Sequence, residues 1–252
     1  MKENRQPIVA PAKWGLPYAE SLVRPRQREQ SYIVAFGVLT VIAWQTEIGT
    51  LALMPFTLLG TWFHEMAHGL AAMVLGADFE RLVIYANGSG FAEYSGRMWS
   101  VNHAVIAAAG LLGPSIAGSL MIMASRSKRA TRGVLIGLGI ALAVTTLVWV
   151  RSIIGWVVLP GFAALSFYIA LLARERIQRI SVEFLGVQGV ASLWQDFGYL
   201  FSDGAVVGGH YSRSDTGRIA DALLLPYWVW GGLITVVSLA MAWRALRFAA
   251  KY

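Results

Sequence analysis

The chain has 252 residues, of which 56% are hydrophobic and 14% charged, and its mean hydropathy is +0.56. A soluble domain carries about 25% charged residues, so this balance excludes an ordinary soluble fold, and the absence of cysteine excludes disulfides and thiolate metal sites. The net charge of +7 comes mostly from arginines in short loops between apolar runs, which is the positive-inside pattern of a membrane protein rather than a nucleic-acid footprint.

Residues 1–30 are polar, basic and interrupted by Pro7, Pro11, Pro17 and Pro25. They read as a flexible basic arm rather than a cleavable signal. A membrane span needs roughly 20 apolar residues. Ser31–Trp44 is short for that and fits a re-entrant or interfacial segment. Thr50–Gly76 is long enough. Glu80–Tyr94 places β-branched and aromatic residues on both sides of Asn87-Gly88-Ser89-Gly90, which predicts a β-hairpin. Val101–Ala124 is a span, followed by a basic loop at Arg126, Lys128, Arg129 and Arg132. Gly133–Val150 and Ile153–Ala173 predict a pair of spans around Arg151. Arg174, Arg176 and Arg179 make a second basic loop. Val182–Phe201 is a weaker span with Asp196 inside it, 202–218 reads as a polar loop, and Leu223–Trp243 is the last span. The expected fold is therefore an all-α polytopic membrane protein of six or seven transmembrane helices, with a small β-hairpin after the second hydrophobic segment. Residues 31–252 form one membrane-embedded domain. The basic loops and the basic C-terminus are expected on the cytoplasmic side.

One span carries His64-Glu65-Met66-Ala67-His68. Residues four apart share a helix face, so both imidazoles can reach one Zn²⁺. Glu65 is placed to activate a zinc-bound water as general base. The bland alternative is a polar patch lining a bundle interior. Ionisable groups inside a span cost roughly 2.5–3.5 kcal/mol each on insertion scales, so three polar side chains in five residues need a reason, and a metal is the stronger one. A catalytic zinc needs a third protein ligand. Candidates are His103, Asp196, His210 and Asp215. Asp196 is expected, as the acid inside another span. Both it and the motif lie about 14 residues into their spans, level if the helices are parallel. Asp215 ranks second, because Ser214-Asp215-Thr216 also fits a helix cap.

The stretches FHEMAHGLAAMVLGA, AAGLLGPSIAGS, FLGVQGVASLWQD and SRSDTGRIADALLLPYWVW together resemble the site-2-protease class of intramembrane zinc metallopeptidases. More narrowly they resemble its small peptidase B-like branch, over roughly residues 50–245. The resemblance implies a zinc metalloendopeptidase that hydrolyses peptide bonds of membrane-embedded or membrane-adjacent protein substrates. His64, His68 and Asp196 would then be the metal ligands and Glu65 the catalytic base. Better-known members place Gly after the distal aspartate, whereas Asp196 precedes Phe197. The expected setting is the bacterial inner (plasma) membrane, with the lipid bilayer and a membrane protein substrate as partners. The competing class is a membrane scaffold or chaperone that keeps the fold without proteolysis; the intact Glu65 weighs against it. A transporter would show repeated halves with broken helices, and none is visible.

Overall fold

A computed structural model describes residues 33–251. The basic arm expected at 1–30 lies outside the described residues. The elements follow one another as α1 (Ile33–Ala43), α2 (Glu47–Val74), β1 (Asp78–Ile84), β2 (Gly90–Ser95), α3 (Ser100–Ala124), α4 (Lys128–Val148), α5 (Ile153–Leu172), α6 (Glu175–Gln195), α7 (Phe197–Leu200), β3 (Gly204–Val207), β4 (His210–Arg213), α8 (Asp215–Ala222) and α9 (Tyr227–Lys251).

Four helices among the described residues, α3, α4, α5 and α9, are long and apolar enough to cross a membrane. The count rises to five if α1 and α2, which meet at a bend of 118°, make one broken span. At 1.5 Å per residue α1 is about 16 Å long, too short to cross a hydrocarbon core of about 30 Å alone. The expected span Val182–Phe201 is displaced: the helix there, α6, starts at Glu175 and stops at Gln195. It is long enough to cross but too polar to count as an apolar span, and it buries Gln178, Glu183, Gln188 and Ser192. Polar side chains of this kind are tolerated at membrane depth when they face protein rather than lipid. Gln188 donates to Thr40 of α1 (2.7 Å), and Gln178 donates to the carbonyls of Ala170 and Ala173 (both 3.1 Å).

Helix α6 crosses α3 closely enough that a Cβ at Gly186 would stand 2.8 Å from the Gly118 carbonyl oxygen. Such backbone approach is the usual basis of helix association in lipid. The largest apolar core joins α2, α4, α5 and β1 through Trp62, Leu82, Leu135, Leu142, Val150 and Leu159. Outward-facing Ile140, Leu165, Leu239 and similar side chains stay exposed, as a lipid-facing surface requires.

The predicted hairpin is present. β1 and β2 pair antiparallel from Asp78↔Ser95 to Ile84↔Gly90, with an irregularity between Phe79 and Arg81. It is clamped on both flanks. The α4–α5 link adds an edge to β1: the Leu82 N–H donates to Trp149 O (2.8 Å) and the Arg151 N–H to Leu82 O (2.9 Å). Phe79 stacks on Trp149 at 5.1 Å. At the turn, the Thr61 hydroxyl donates to Gly88 O (2.5 Å), so the hairpin runs back along α2. The stretch 202–218, expected as a loop, instead holds a second hairpin (β3–β4) and the start of α8. Two short strands flanking Gly208-Gly209 carry too little hydrophobic pattern to announce themselves.

Candidate metal centre

His64 and His68 lie in the C-terminal half of α2, one turn apart on the face turned toward α3 and α8. The α2 helix begins where Thr46 caps it, its hydroxyl accepting from the Gly49 N–H at 3.1 Å. His68 is fixed from α3. Its Nδ1–H donates to the Ile106 carbonyl at 2.8 Å, since a carbonyl can only accept. This leaves the Nε2 lone pair directed at His64 and Asp215. Gly110 makes room for the ring, because a Cβ at that position would overlap the His68 imidazole.

Asp215 reaches the histidines from the other end of the fold. Ser214, fully buried, caps α8: its hydroxyl accepts from the Gly217 N–H (3.0 Å) and donates to Ser202 O (2.6 Å). The cap role read as Asp215's bland alternative therefore belongs to its neighbour, and the Asp215 carboxylate is free to face the site. Arg213, one residue before the cap, pairs with both Asp203 and Asp221 and ties the second hairpin to α8. The Asp215 N–H donates to the Tyr199 hydroxyl at 3.0 Å.

Three ligand atoms converge as a result. His64 Nε2 and His68 Nε2 are 3.0 Å apart, and Asp215 Oδ2 lies 3.0 Å from the first and 3.2 Å from the second. Asp215 is 4% exposed and His68 7%. Burial alone would raise the Asp215 carboxyl, but the His68 and His64 imidazoles beside it hold it well below the usual carboxylate range. Among the described residues this is the group of ligating side chains close enough to share an ion. Glu65, 5% exposed, follows His64 on the same helix, with the Ala92 backbone of β2 within hydrogen-bonding reach of its carboxylate.

The aspartate that the structure brings to the histidines is Asp215 and not Asp196. Asp196 is the C-cap of α6 rather than a residue inside a span. Its neighbour Gln195 donates to the Thr57 hydroxyl (3.0 Å), seven residues and about 10 Å of helix rise before His64. Asp196 is near enough to feel the charge of His64 and Asp215, but α6 begins earlier than its apolar run and ends at Asp196, and the carboxylate stands outside the three-residue group. His103 and His210 line the same cavity but are not in the three-residue group.

The group opens into a cavity of about 890 Å³ walled by β2, α7, the second hairpin and α8. Tyr199, Tyr94 and Arg218 also face it, and none of the three stands out in the sequence. A lone tyrosine in FGYL and an arginine after a cap carry no spacing signal.

Residues 32–245 match the family described as peptidase M50B-like. That is most of the chain. The protein belongs to the peptidase M50B-like family. The resemblance read from the sequence thus holds, and the four apolar helices agree with a multi-pass membrane protein of metallopeptidase class. No curated protein and no solved structure matches the chain.

Proposed function

We propose that this M50B-like protein is an intramembrane zinc metalloprotease that hydrolyses peptide bonds of membrane-embedded or membrane-adjacent protein substrates, with His64, His68 and Asp215 as the metal ligands and Glu65 as the base. The observation that carries this reading is the largely buried triangle of His64 Nε2, His68 Nε2 and Asp215 Oδ2, with sides of 3.0–3.2 Å, beside the Glu65 carboxylate. A tetrahedral zinc with bonds of 2.0–2.2 Å separates its ligand atoms by about 3.3–3.6 Å, so the triangle fits after a small expansion. The donor set fits as well. Two imidazole nitrogens facing each other, with a carboxylate completing the triangle, match a shared cation. The bond from His68 Nδ1–H to the Ile106 carbonyl already fixes a metal-binding tautomer.

Bound there, zinc would act as a Lewis acid and make water a nucleophile near neutral pH. The chain's own residues do the rest. Glu65 accepts a proton from the attacking water and returns it to the leaving amine. The packing of α2, α3 and α8 buries the His68 and Asp215 donors behind the cavity. The cavity gives a peptide segment room to lie against β2. Asp215 replaces Asp196 as third ligand in this reading, and the intact Glu65 favours hydrolysis over a scaffold role.

Zinc content and cleavage of a model transmembrane peptide by the full chain in detergent test the proposal together. Glu65→Gln should retain about one zinc per chain and lose roughly 10²–10⁴-fold in rate, the usual contribution of a general base. Asp215→Ala should lose zinc and Asp196→Ala should keep it. The reverse pattern for the two aspartates would return the third-ligand role to Asp196. Undiminished cleavage by Glu65→Gln would remove the base assignment.

A further inference from the structure

The cavity holds a hydroxyl that neither the ligands nor the base accounts for. Tyr199 stands in α7, between the end of α6 and the second hairpin. Its ring meets the His64 imidazole edge-on, with centroids 6.4 Å apart. Its oxygen accepts the Asp215 N–H at 3.0 Å. A phenol that accepts one hydrogen bond still has a proton to donate, and no acceptor for that proton is present among the described residues. The side chain lines the cavity directly beside Asp215. It does so from the α7–α8 wall, whereas Glu65 leans on the β2 wall, near Ala92.

Peptide hydrolysis needs two polar functions besides the metal. One group takes the proton of the attacking water, and another stabilises the charge that develops on the carbonyl oxygen. Glu65 supplies the first. We propose that the Tyr199 hydroxyl supplies the second, donating a hydrogen bond to the oxyanion of the tetrahedral adduct. In the step, the water oxygen bonds to the carbonyl carbon, the C=O π pair moves onto the carbonyl oxygen, and the water proton goes to Glu65. Tyr199 keeps its proton throughout and shares it with the new oxyanion. Collapse re-forms the C=O bond, breaks the C–N bond and delivers the Glu65 proton to the amine. The bond from Asp215 preorganises the hydroxyl, so little reorganisation is needed as charge builds. The α7 turn is thereby a catalytic element and not a spacer between α6 and the second hairpin.

This inference rests on the zinc-protease reading, and the test separates the two. Tyr199→Phe removes the hydroxyl and keeps the ring. The purified full-length variant should hold as much zinc as the wild type, keep KM within about threefold, and lose about 10²–10³-fold in kcat, the cost of one oxyanion donor. A second readout needs no turnover. A peptide phosphonate carries a tetrahedral anion, and its binding should weaken by a factor similar to the loss in kcat. Binding of the uncleaved peptide to the Glu65→Gln protein should be unchanged by adding Tyr199→Phe. Wild-type kcat and phosphonate affinity in Tyr199→Phe would overturn the donor role. Loss of zinc in that variant would also overturn it, because Tyr199 would then only position Asp215. Absence of zinc and of phosphonate binding in the wild type itself would instead remove the protease reading beneath it.

Discussion

Around His68, the site depends on an atom that is missing. The imidazole occupies the place where a side chain at Gly110 would begin, and it is held there by the Ile106 carbonyl four residues earlier on α3. Any Cβ at Gly110 must push the ring out of line with His64 and Asp215. Gly110→Val should therefore lower zinc affinity, by more than tenfold on the scale of disturbed outer-shell contacts, while helix content by circular dichroism stays near that of the wild type. Zinc affinity equal to the wild type's in a folded Gly110→Val protein would show that the ring has another place to go. At this scale the sequence was readable where chemistry is local. His64, Glu65 and His68 are set by one helical turn, and the pattern alone placed them together. Asp215 was not readable in the same way. Its approach depends on a cap at Ser214, a pairing of Arg213 with Asp203 and Asp221, and a turn of α7, none of which has a spacing that points to α2.

Among the elements, the α3–α6 crossing carries the fold past the point where hydropathy runs out. Helix α6 is too polar to be held by lipid and is held by protein instead, through close backbone contact. Gly186 stands against the Gly118 carbonyl, and a Cβ there would also come within 2.9 Å of Ile122 Cγ1. Backbone and a β-branched side chain cannot both yield. Gly186→Val should destabilise the protein by about 1–3 kcal/mol, the usual cost of overpacking, seen as a lower unfolding midpoint in detergent. An unchanged midpoint would mean that the two helices separate without loss. The same crossing explains which elements could be anticipated. The hairpin after the motif helix, the pair of helices around Arg151 and the apolar spans announced themselves by composition and turns. Helix α6 did not, because the residues that bury it are polar and glycine-rich, and a hydropathy window places its boundaries too late. That shift put Asp196 inside a span instead of at a helix end.

Across the whole molecule, charge separates the two ends of the bundle. Helix α3 is 25 residues long, about 36 Å at 1.5 Å per residue. At its far end lie Arg126, Lys128 and Arg129, and Lys128 pairs with Glu175 at 2.6 Å, so both basic loops share one end. The basic last turns of α9 belong to the same end, because Ala245 packs with Ile122 and Val187. At the other end two arginines are offset by carboxylates: Arg81 pairs with Glu93, and Arg213 with Asp203 and Asp221. Among the described residues, the first end gathers the clustered arginines and lysines of the two basic loops and the last turns of α9, the pattern that holds a loop in the cytoplasm. The candidate metal centre is nearer the second end. Ile106, which holds His68, lies about 9 Å into α3 from Ser100. On the proposed protease reading, cleavage should therefore occur in the half of the bilayer facing away from the cytoplasm. The chain has no cysteine, so single replacements report cleanly, and Arg97, Ser127 and Arg176 are all exposed. In intact cells an impermeant thiol reagent should label Arg97→Cys and leave Ser127→Cys and Arg176→Cys unlabelled until the membrane is opened. Labelling of Ser127→Cys and Arg176→Cys from outside, with Arg97→Cys protected, would invert the orientation and move the metal centre to the cytoplasmic half. Labelling of Ser127→Cys without Arg176→Cys would contradict the shared end itself, because the Lys128–Glu175 pair holds those two loops on one side of the membrane.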